Sequence, residues 1–310
     1  MDAYFKKKFT KQYKAKKAQI IHKELIVDLE TPISSLIKIS KKEKYSFLLE
    51  SVEGGDQRGR FSLLGCDPDI IWKVKNNKVS IKSLNNKLNL PSLSKHPIES
   101  LKQLMNFSKI EKGSIDPPFP ILVGYLGYPM IKWMENIKLN NPDEINIPEA
   151  LMIRPKLVAV FDNIKDSLHI MTSVYFEKKI SANKALDQAI KYIDKAIKKL
   201  NNETSTKQIF KVKQNKKLKF KSNYTKKEYY KIVEKAKSCI RKGDIFQVVP
   251  SQRFTSEYKL NALSLYRSLR RLNPSPFLVY LNFDNFGLIA SSPEILVRIR
   301  NGKITIRPIA

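Results

Sequence analysis

The 310-residue sequence has no run of 18 or more apolar residues, so it offers no segment of the kind that crosses a bilayer as a helix. Its first residues, MDAYFKKKFTKQYKAKKAQII, carry charge without the apolar core of a secretory leader, and do not read as a signal peptide. Cysteine is nearly absent. Cys66 and Cys239 stand far apart with no CxxC pattern and no histidine neighbour, which excludes a zinc framework and a disulfide scaffold and suits a reducing cytoplasm. Histidine is equally scarce: His22, His96 and His169 have no serine, cysteine or carboxylate partner at a recognisable spacing, and His169 alternates within a strand pattern that suits a structural or solvent-facing role. There is no P-loop, no GxGxxG after a strand and no HExxH. With only 10 Gly, 10% aromatic and 42% hydrophobic residues, the composition is that of an ordered globular chain with one large core or two ordinary ones.

What is abundant is lysine. The net charge is +29, and of 58 basic residues 47 are Lys and 11 Arg. Specific phosphate and base recognition favours the bidentate fork of Arg. Here the lysines are spread through every segment beside many Asn and Ile, as solvated faces. The two dense runs, 6–17 and 207–221, sit at one end and in an apparent linker. The sequence therefore predicts no specific nucleic-acid partner and no membrane partner, only non-specific polyanion binding at low salt.

The periodicities alternate between strand and helix without a regular βαβ order, which predicts an α+β fold: antiparallel sheets packed as a sandwich with surrounding helices. Strands are expected over 18–30, 45–52 and 118–128, the last a buried strand with glycines at close approaches. A helix starts at Thr31 with Pro32 in its first turn. The stretch FSLLGCDPDIIWKVKNNKVSIKS reads as a strand, a turn at Asp67-Pro68 and a hairpin over Asn76-Asn77; residues 48–68 also hold a loop at Gly54-Gly55. A helix over 97–109 places Ile98, Leu101, Leu104 and Met105 on one face. A hairpin over 153–175 turns at Asp162-Asn163, and 181–200 is an amphipathic helix through Leu186, Ile190, Ile193, Ile197 and Leu200. Polar, Lys-rich residues 201–223 read as a linker between a first region, 1–200, and a second, 224–310. The second opens with a helix capped by Thr225 and Glu228, carrying Ile232, Ala236, Cys239 and Ile240 on its apolar face and closed by Gly243. A strand over 244–257, a helix over 261–273, a hairpin over 276–292 and a hairpin at Asn301-Gly302 follow.

Three motifs of the second region, GDIFQVVPSQRF, LYRSLRRLNPSPFLVYL and SSPEILVRIRNGKITIRPIA, are each ordinary when taken singly: Pro274 and Pro276 fix φ, Asn273 and Ser275 make local backbone bonds, and SSPE reads as a turn. In this order and spacing they resemble the chorismate-binding domain shared by anthranilate synthase large subunits, aminodeoxychorismate synthases and isochorismate synthases. LLESVEGGDQRGRFSLLGCDP and ILVGYLGYPMIKWME in the first region are similar to the regulatory half of the anthranilate synthase large-subunit family, so the resemblance spans nearly the whole chain.

The resemblance implies a tryptophan effector site with two walls. Leu49, Glu50 and Ser51 match one; Asn273, Pro274, Pro276, Phe277 and Leu278 fall in the other. Such a site suits an amino acid: a short hydroxyl, proline-turned carbonyls for an ammonium group and apolar cover for an indole. Phe277 and Leu278 replace the family's usual Tyr and Met, which bears on sensitivity to tryptophan more than on where the site lies. The implied reaction converts chorismate and ammonia, supplied from glutamine by a partner amidotransferase subunit, to anthranilate and pyruvate, with Mg2+ neutralising the carboxylates and polarising the leaving hydroxyl. Ala310, adjacent to the substrate by the resemblance, stands where aminodeoxychorismate synthases carry a nucleophilic lysine. An alanine forms no covalent adduct, which favours direct attack by ammonia and hence the anthranilate branch. The alternatives are an aminodeoxychorismate synthase large subunit and a non-catalytic tryptophan-binding module.

By the same resemblance the catalytic His, the two metal-binding Glu and the substrate clamps of the family lie past the position of Ala310, so no catalytic residue and no metal ligand is assigned within these 310 residues. The expectation is that this chain alone, given chorismate, Mg2+ and ammonia, releases no anthranilate. The fluorescence of the product measures it, and turnover above the uncatalysed background would refute it.

Overall fold

The computed structural model describes residues 3–40, 43–53, 57–84, 88, 90–110, 118–202, 218–300 and 302–307. The chain forms two compact units, one of Met1–Thr204 with Leu265–Ala310 and one of Ser205–Ser264. The Lys-rich N-terminal stretch contains a helix that composition concealed. In α1 (Ala3–Lys14) Phe9 and Tyr13 are buried four residues apart, while Lys6, Lys7, Lys8, Lys11 and Lys14 are exposed.

Strand β1 (Gln19–Ile26) and helix α2 (Pro32–Ser40) follow. Thr31 caps α2, its hydroxyl accepting the Ser34 N–H at 3.1 Å. Next come β2 (Tyr45–Glu50) and the two-residue strands β3 (Val52–Glu53) and β4 (Gln57–Arg58); the expected Gly54-Gly55 loop lies outside the described residues.

The expected turn at Asp67-Pro68 is not a chain reversal. Strand β5 runs unbroken from Phe61 to Lys75. Asp67 takes φ 50°, and the pairing shifts register between Pro68 and Ile70. Pro68 stays opposite Pro155, and a bulge with Asp69 as its extra residue bends the strand instead of ending it. The Asn76-Asn77 turn has φ of 50° and 63°, the left-handed pair of a type I′ hairpin, and leads into β6 (Lys78–Ser83).

Helix α3 (Pro97–Phe107) buries Pro97, Ser100 and Leu104. Ser100 accepts the Trp72 indole N–H at 2.9 Å, which turns that stripe inward; Ile98 and Leu101 pack beside it, but Met105 lies at the margin, 55% exposed, and is not part of the buried face. The stretch 118–128 contains a short edge strand, β7 (Val123–Leu126), half-buried rather than buried, followed by a 3-10 turn over Tyr128–Trp133. A Cβ on Gly124 would lie 1.9 Å from the Leu151 carbonyl oxygen, so the close approach there is to backbone. Strands β8 (Ala150–Asp162) and β9 (Ser167–Val174) form the long hairpin. Helix α4 (Ala182–Leu200), capped by Ser181, buries Ala182, Ala185, Leu186, Ala189, Ile193, Ala196 and Leu200, with Ile190 and Ile197 at the edges.

In the smaller unit, β10 (Lys221–Ser222) precedes α5 (Lys226–Lys242), which has the Thr225–Glu228 capping box and Gly243 at φ 80°. None of its residues is buried: Ile232, Ala236 and Cys239 are half-buried and Ile240 is exposed. The strand expected over 244–257 reduces to β11 (Phe254–Thr255), paired only with β10. Its apolar alternation finds no ladder partner among the described residues, and Phe246 is 93% exposed.

Helix α6 (Ala262–Leu272), strands β12 (Phe277–Phe283) and β13 (Phe286–Ser292), and the hairpin β14 (Arg298–Arg300) with β15 (Lys303–Thr305) complete the order. Gly302 has φ 74°, as a hairpin turn requires; Asn301 beside it lies outside the described residues.

One antiparallel sheet runs β1-β9-β8-β5-β2-β12-β13, with β6 on β5 and β7 on β8. The two long strands change partners along their length. Residues 63–66 of β5 pair with β2 and 70–75 with β6; residues 157–162 of β8 pair with β9 and 150–153 with β7. The sheet thereby folds into two layers. Phe47, Leu281 and Phe283 of one layer form a single cluster with Ile71, Val123, Leu151 and Ile153 of the other. The sandwich is thus built from one bent sheet, and its fold is α+β.

Candidate functional site

Strands β2 and β12 pair antiparallel, with Leu49 opposite Val279 and Glu50 opposite Leu278. Just beyond the ladder the Val52 N–H donates to the Ser275 carbonyl at 3.0 Å. Residues 49–51 and 273–278, far apart in sequence, are therefore neighbours at one end of this strand pair.

Their side chains do not all converge. Alternation sends Glu50 and Leu278 to the face under α6, and Leu49 to the opposite face. Leu49 and Val279 pack on the cluster of Phe47, Leu281 and Phe283. Leu278 is buried, and so is the Glu50 carboxylate, which accepts the Tyr266 phenol at 2.5 Å and Arg270 Nη2 at 2.9 Å. Arg270 Nε lies 2.8 Å from Glu50 Oε2, off the line of a hydrogen bond, so it contributes as an ion-pair contact. Burial first, and the Glu50 charge second, push the Tyr266 phenol up, which keeps it the donor of this pair. Its ring lies 5.7 Å from that of Tyr280.

Ser51, half-buried, follows Glu50 at the strand end. The Gly59 N–H donates to its carbonyl at 2.8 Å, and a Cβ on Gly59 would lie 2.7 Å from Ser51 Cβ, so the crossing chain approaches as closely as a glycine permits. Behind Gly59, its carbonyl accepts from Asn163 at 2.7 Å, and Arg60 grips Asp162 with Nε and Nη2 at 3.1 and 2.8 Å from Oδ2.

The opposing turn is held at both ends. The Asn273 N–H donates to Leu269 at 2.8 Å, and its carbonyl accepts the Ser291 hydroxyl at 2.6 Å. Asn273 and Pro274 are exposed, Pro276 is half-buried and Phe277 is 37% exposed. Ser275 was expected to bond locally. Its backbone carbonyl does take the Val52 N–H, but its buried hydroxyl has no partner among the described residues.

Ser51, Asn273, Pro274, Pro276 and Phe277 are thus at least partly exposed at one end of the strand pair, while the side chains of Leu49, Glu50 and Leu278 lie within the packed layers. Sequence reasoning missed Tyr266, Arg270 and Gly59. Tyr266 and Arg270 stand four apart on α6, a spacing that puts both on one helix face; it could have been read, but their partner on β2 could not. Ala310 lies outside the described residues.

Of the histidines, His169 is buried on β9, 3.2 Å from the Ser167 hydroxyl and 3.8 Å from Glu24, and His22 faces it with ring centroids 6.2 Å apart. Cys66 is buried, and burial pushes its thiol up. Among the described residues no three His, Cys, Asp or Glu side chains converge as a metal site would need. The Mg2+ implied by the resemblance finds no fit there. No described helix is long and apolar enough to cross a membrane.

Residues 44–310 match the family of chorismate binding enzymes. The chain belongs to that family. It is 39% identical over 306 residues to anthranilate synthase component 1 of Cereibacter sphaeroides, covering 97% of this chain and 61% of that protein. It is 34% identical to the component 1 of Aquifex aeolicus over 94% of this chain and 58% of the relative. The chain therefore spans about three-fifths of the length of these curated relatives. The crystal structure of anthranilate synthase component I from Streptococcus pneumoniae superimposes with a TM-score of 0.64 at 26% identity, over 91% of this chain and 60% of that one. Membership in the chorismate binding enzymes and the α+β fold are thus in agreement.

The Arg60 hydrogen bonds, outweighing desolvation, hold the Asp162 carboxyl below the usual range, with the Ile164 N–H, the Arg60 charge and the Lys165 N–H assisting. A carboxyl lowered in the folded state stabilises above its unfolded value, about 3.8, and that gain fades as pH falls through the folded value. Asp162→Asn is expected to lower the thermal midpoint at pH 7 and to flatten the wild-type loss of stability below about pH 4. Melting curves of both proteins from pH 7 to pH 2 measure this, and parallel curves would contradict it.

Proposed function

We propose that this chain is part of a large subunit of the anthranilate synthase type, which works in the cytoplasm with a glutamine amidotransferase subunit and is shut off by L-tryptophan at the rim formed by Ser51 and the 273–277 turn. Ammonia adds to the chorismate ring as the ring hydroxyl leaves as water; the enolpyruvyl side chain then departs as pyruvate and the ring aromatises to anthranilate. Support for the reaction comes from the relatives, each an anthranilate synthase component 1, and from the family match. Chorismate as substrate and Mg2+ as cofactor belong to this proposal, and the residues in hand offer no ligand set through which to derive a step.

The observation that carries the effector reading is the β2–β12 pairing. It brings the backbone at Ser51 next to a proline-turned segment held by the Val52 and Ser291 hydrogen bonds at 3.0 and 2.6 Å. Rigid carbonyls suit an ammonium group, a hydroxyl suits a carboxylate or ammonium, and the half-exposed Phe277 ring is a surface for an indole.

Isothermal titration of the 310-residue chain with L-tryptophan tests this. One site is expected, and Ser51→Ala weakens it by roughly tenfold, the value of one hydrogen bond to a charged ligand. No heat at millimolar tryptophan, or equal affinity in the variant, would reject the site. Binding with that loss also argues against the aminodeoxychorismate branch, for which tryptophan is not the end product.

A further inference from the structure

Glu50 lies in the wall that the resemblance assigns to the effector, yet its carboxylate is committed elsewhere. Its side chain is 4% exposed. Oε2 takes the Tyr266 phenol at 2.5 Å and Oε1 takes Arg270 Nη2 at 2.9 Å, and both donors come from one face of α6. Tyr266 is itself fully buried. A carboxylate so deeply buried, with both oxygens already bound to α6, is closed to a ligand's ammonium group arriving from solvent.

The place of the donors matters as much as the bonds. Helix α6 ends at Leu272, and the turn begins at the next residue, Asn273, whose N–H still donates to Leu269 within the last helical turn. Arg270 stands three residues before that turn. Glu50 stands one residue before Ser51. The contact therefore joins the ends of both walls through a helix and a strand, beside the ladder that pairs Glu50 with Leu278 and the Val52 to Ser275 hydrogen bond.

We propose that Glu50, Tyr266 and Arg270 are a positioning clamp: they set the gap between Ser51 and the 273–277 turn, and through it the affinity for an aromatic amino acid effector, without touching that effector. The inference rests on the effector reading given under Proposed function. It deepens that reading by moving Glu50 from the ligand's contacts to its support, and by adding two residues on α6. Because the members act as one unit, their effects on affinity do not add. Arg270→Lys also breaks the clamp, since an ammonium cannot reproduce the guanidinium fork.

The test is titration of L-tryptophan into the 310-residue chain and its variants Glu50→Gln, Tyr266→Phe and Arg270→Lys, below every thermal midpoint so that only folded protein is read. Each single variant is expected to weaken binding by about three- to tenfold, and Glu50→Gln/Tyr266→Phe by no more than the weaker binder of the two singles. Tyr266→Phe removes one hydroxyl and nothing else, so it is the decisive variant if the others fail to fold. Weakening by Glu50→Gln with wild-type affinity in Tyr266→Phe and Arg270→Lys would make Glu50 a ligand contact and overturn the clamp alone. Wild-type affinity in all three would also overturn it. A wild-type chain that binds no tryptophan would reject the effector reading, and the clamp with it.

Discussion

The antiparallel pairing of Tyr45–Glu50 with Phe277–Phe283 is the constraint on which the rest of the larger unit depends. It places a strand from late in the chain beside one from its first fifty residues, between β5 and the edge strand β13, in a sheet whose other strands are joined by shorter connections. Its register decides which side chains meet: a slip of one residue would send Glu50 into the apolar cluster and Leu49 under α6. The bend in β5 at Pro68 then brings the second layer over the first, so that Phe47, Leu281 and Phe283 meet Ile71, Leu151 and Ile153.

Three ion pairs carry the charged groups of this frame, while some buried polar atoms, the Ser275 hydroxyl among them, have no partner among the described residues. Arg154, 1% exposed, holds Asp69 with both fork nitrogens at 2.7 and 2.6 Å and lies 3.9 Å from the Tyr175 ring centroid. Glu50 with Arg270 is the second such pair, and Asp162 with Arg60 a third, half-open one. Severing one partner of a buried pair costs about 3–5 kcal/mol because the other charge is stranded. An exposed pair such as Lys237 with Glu234 is worth at most about 1 kcal/mol. The +29 charge, carried mostly on exposed lysines, therefore says little about the fold, whereas a few of the 11 arginines decide its geometry.

Local chemistry was legible in the sequence; distant pairing was not. The Thr225–Glu228 box, Gly243, the Asn76-Asn77 turn and the stripe of α4 all follow from residues within a few positions of one another. The Asp67-Pro68 pair misled because the same residues serve a turn or a bulge, and only the neighbouring strands decide. α1 was hidden by lysine, whose charge outweighed two aromatic residues at helical spacing. The 244–257 alternation suggested a strand, but a strand needs a partner, and among the described residues it has two bonded positions. At the candidate site, the resemblance named two segments that do meet. It could not show that their side chains divide between two faces, because that depends on the register of a pairing across more than two hundred residues.

The most direct test of this account is hydrogen exchange, read peptide by peptide, over 45–50 and 277–283. If β2 and β12 form one pair inside the sheet, their amides are protected to the same degree and exchange together in the slowest opening of the larger unit. Fast exchange of 277–283 alongside slow exchange of 45–50 would mean that the two strands do not share a sheet, and the arrangement of the rim, the clamp and the folded layers would be wrong.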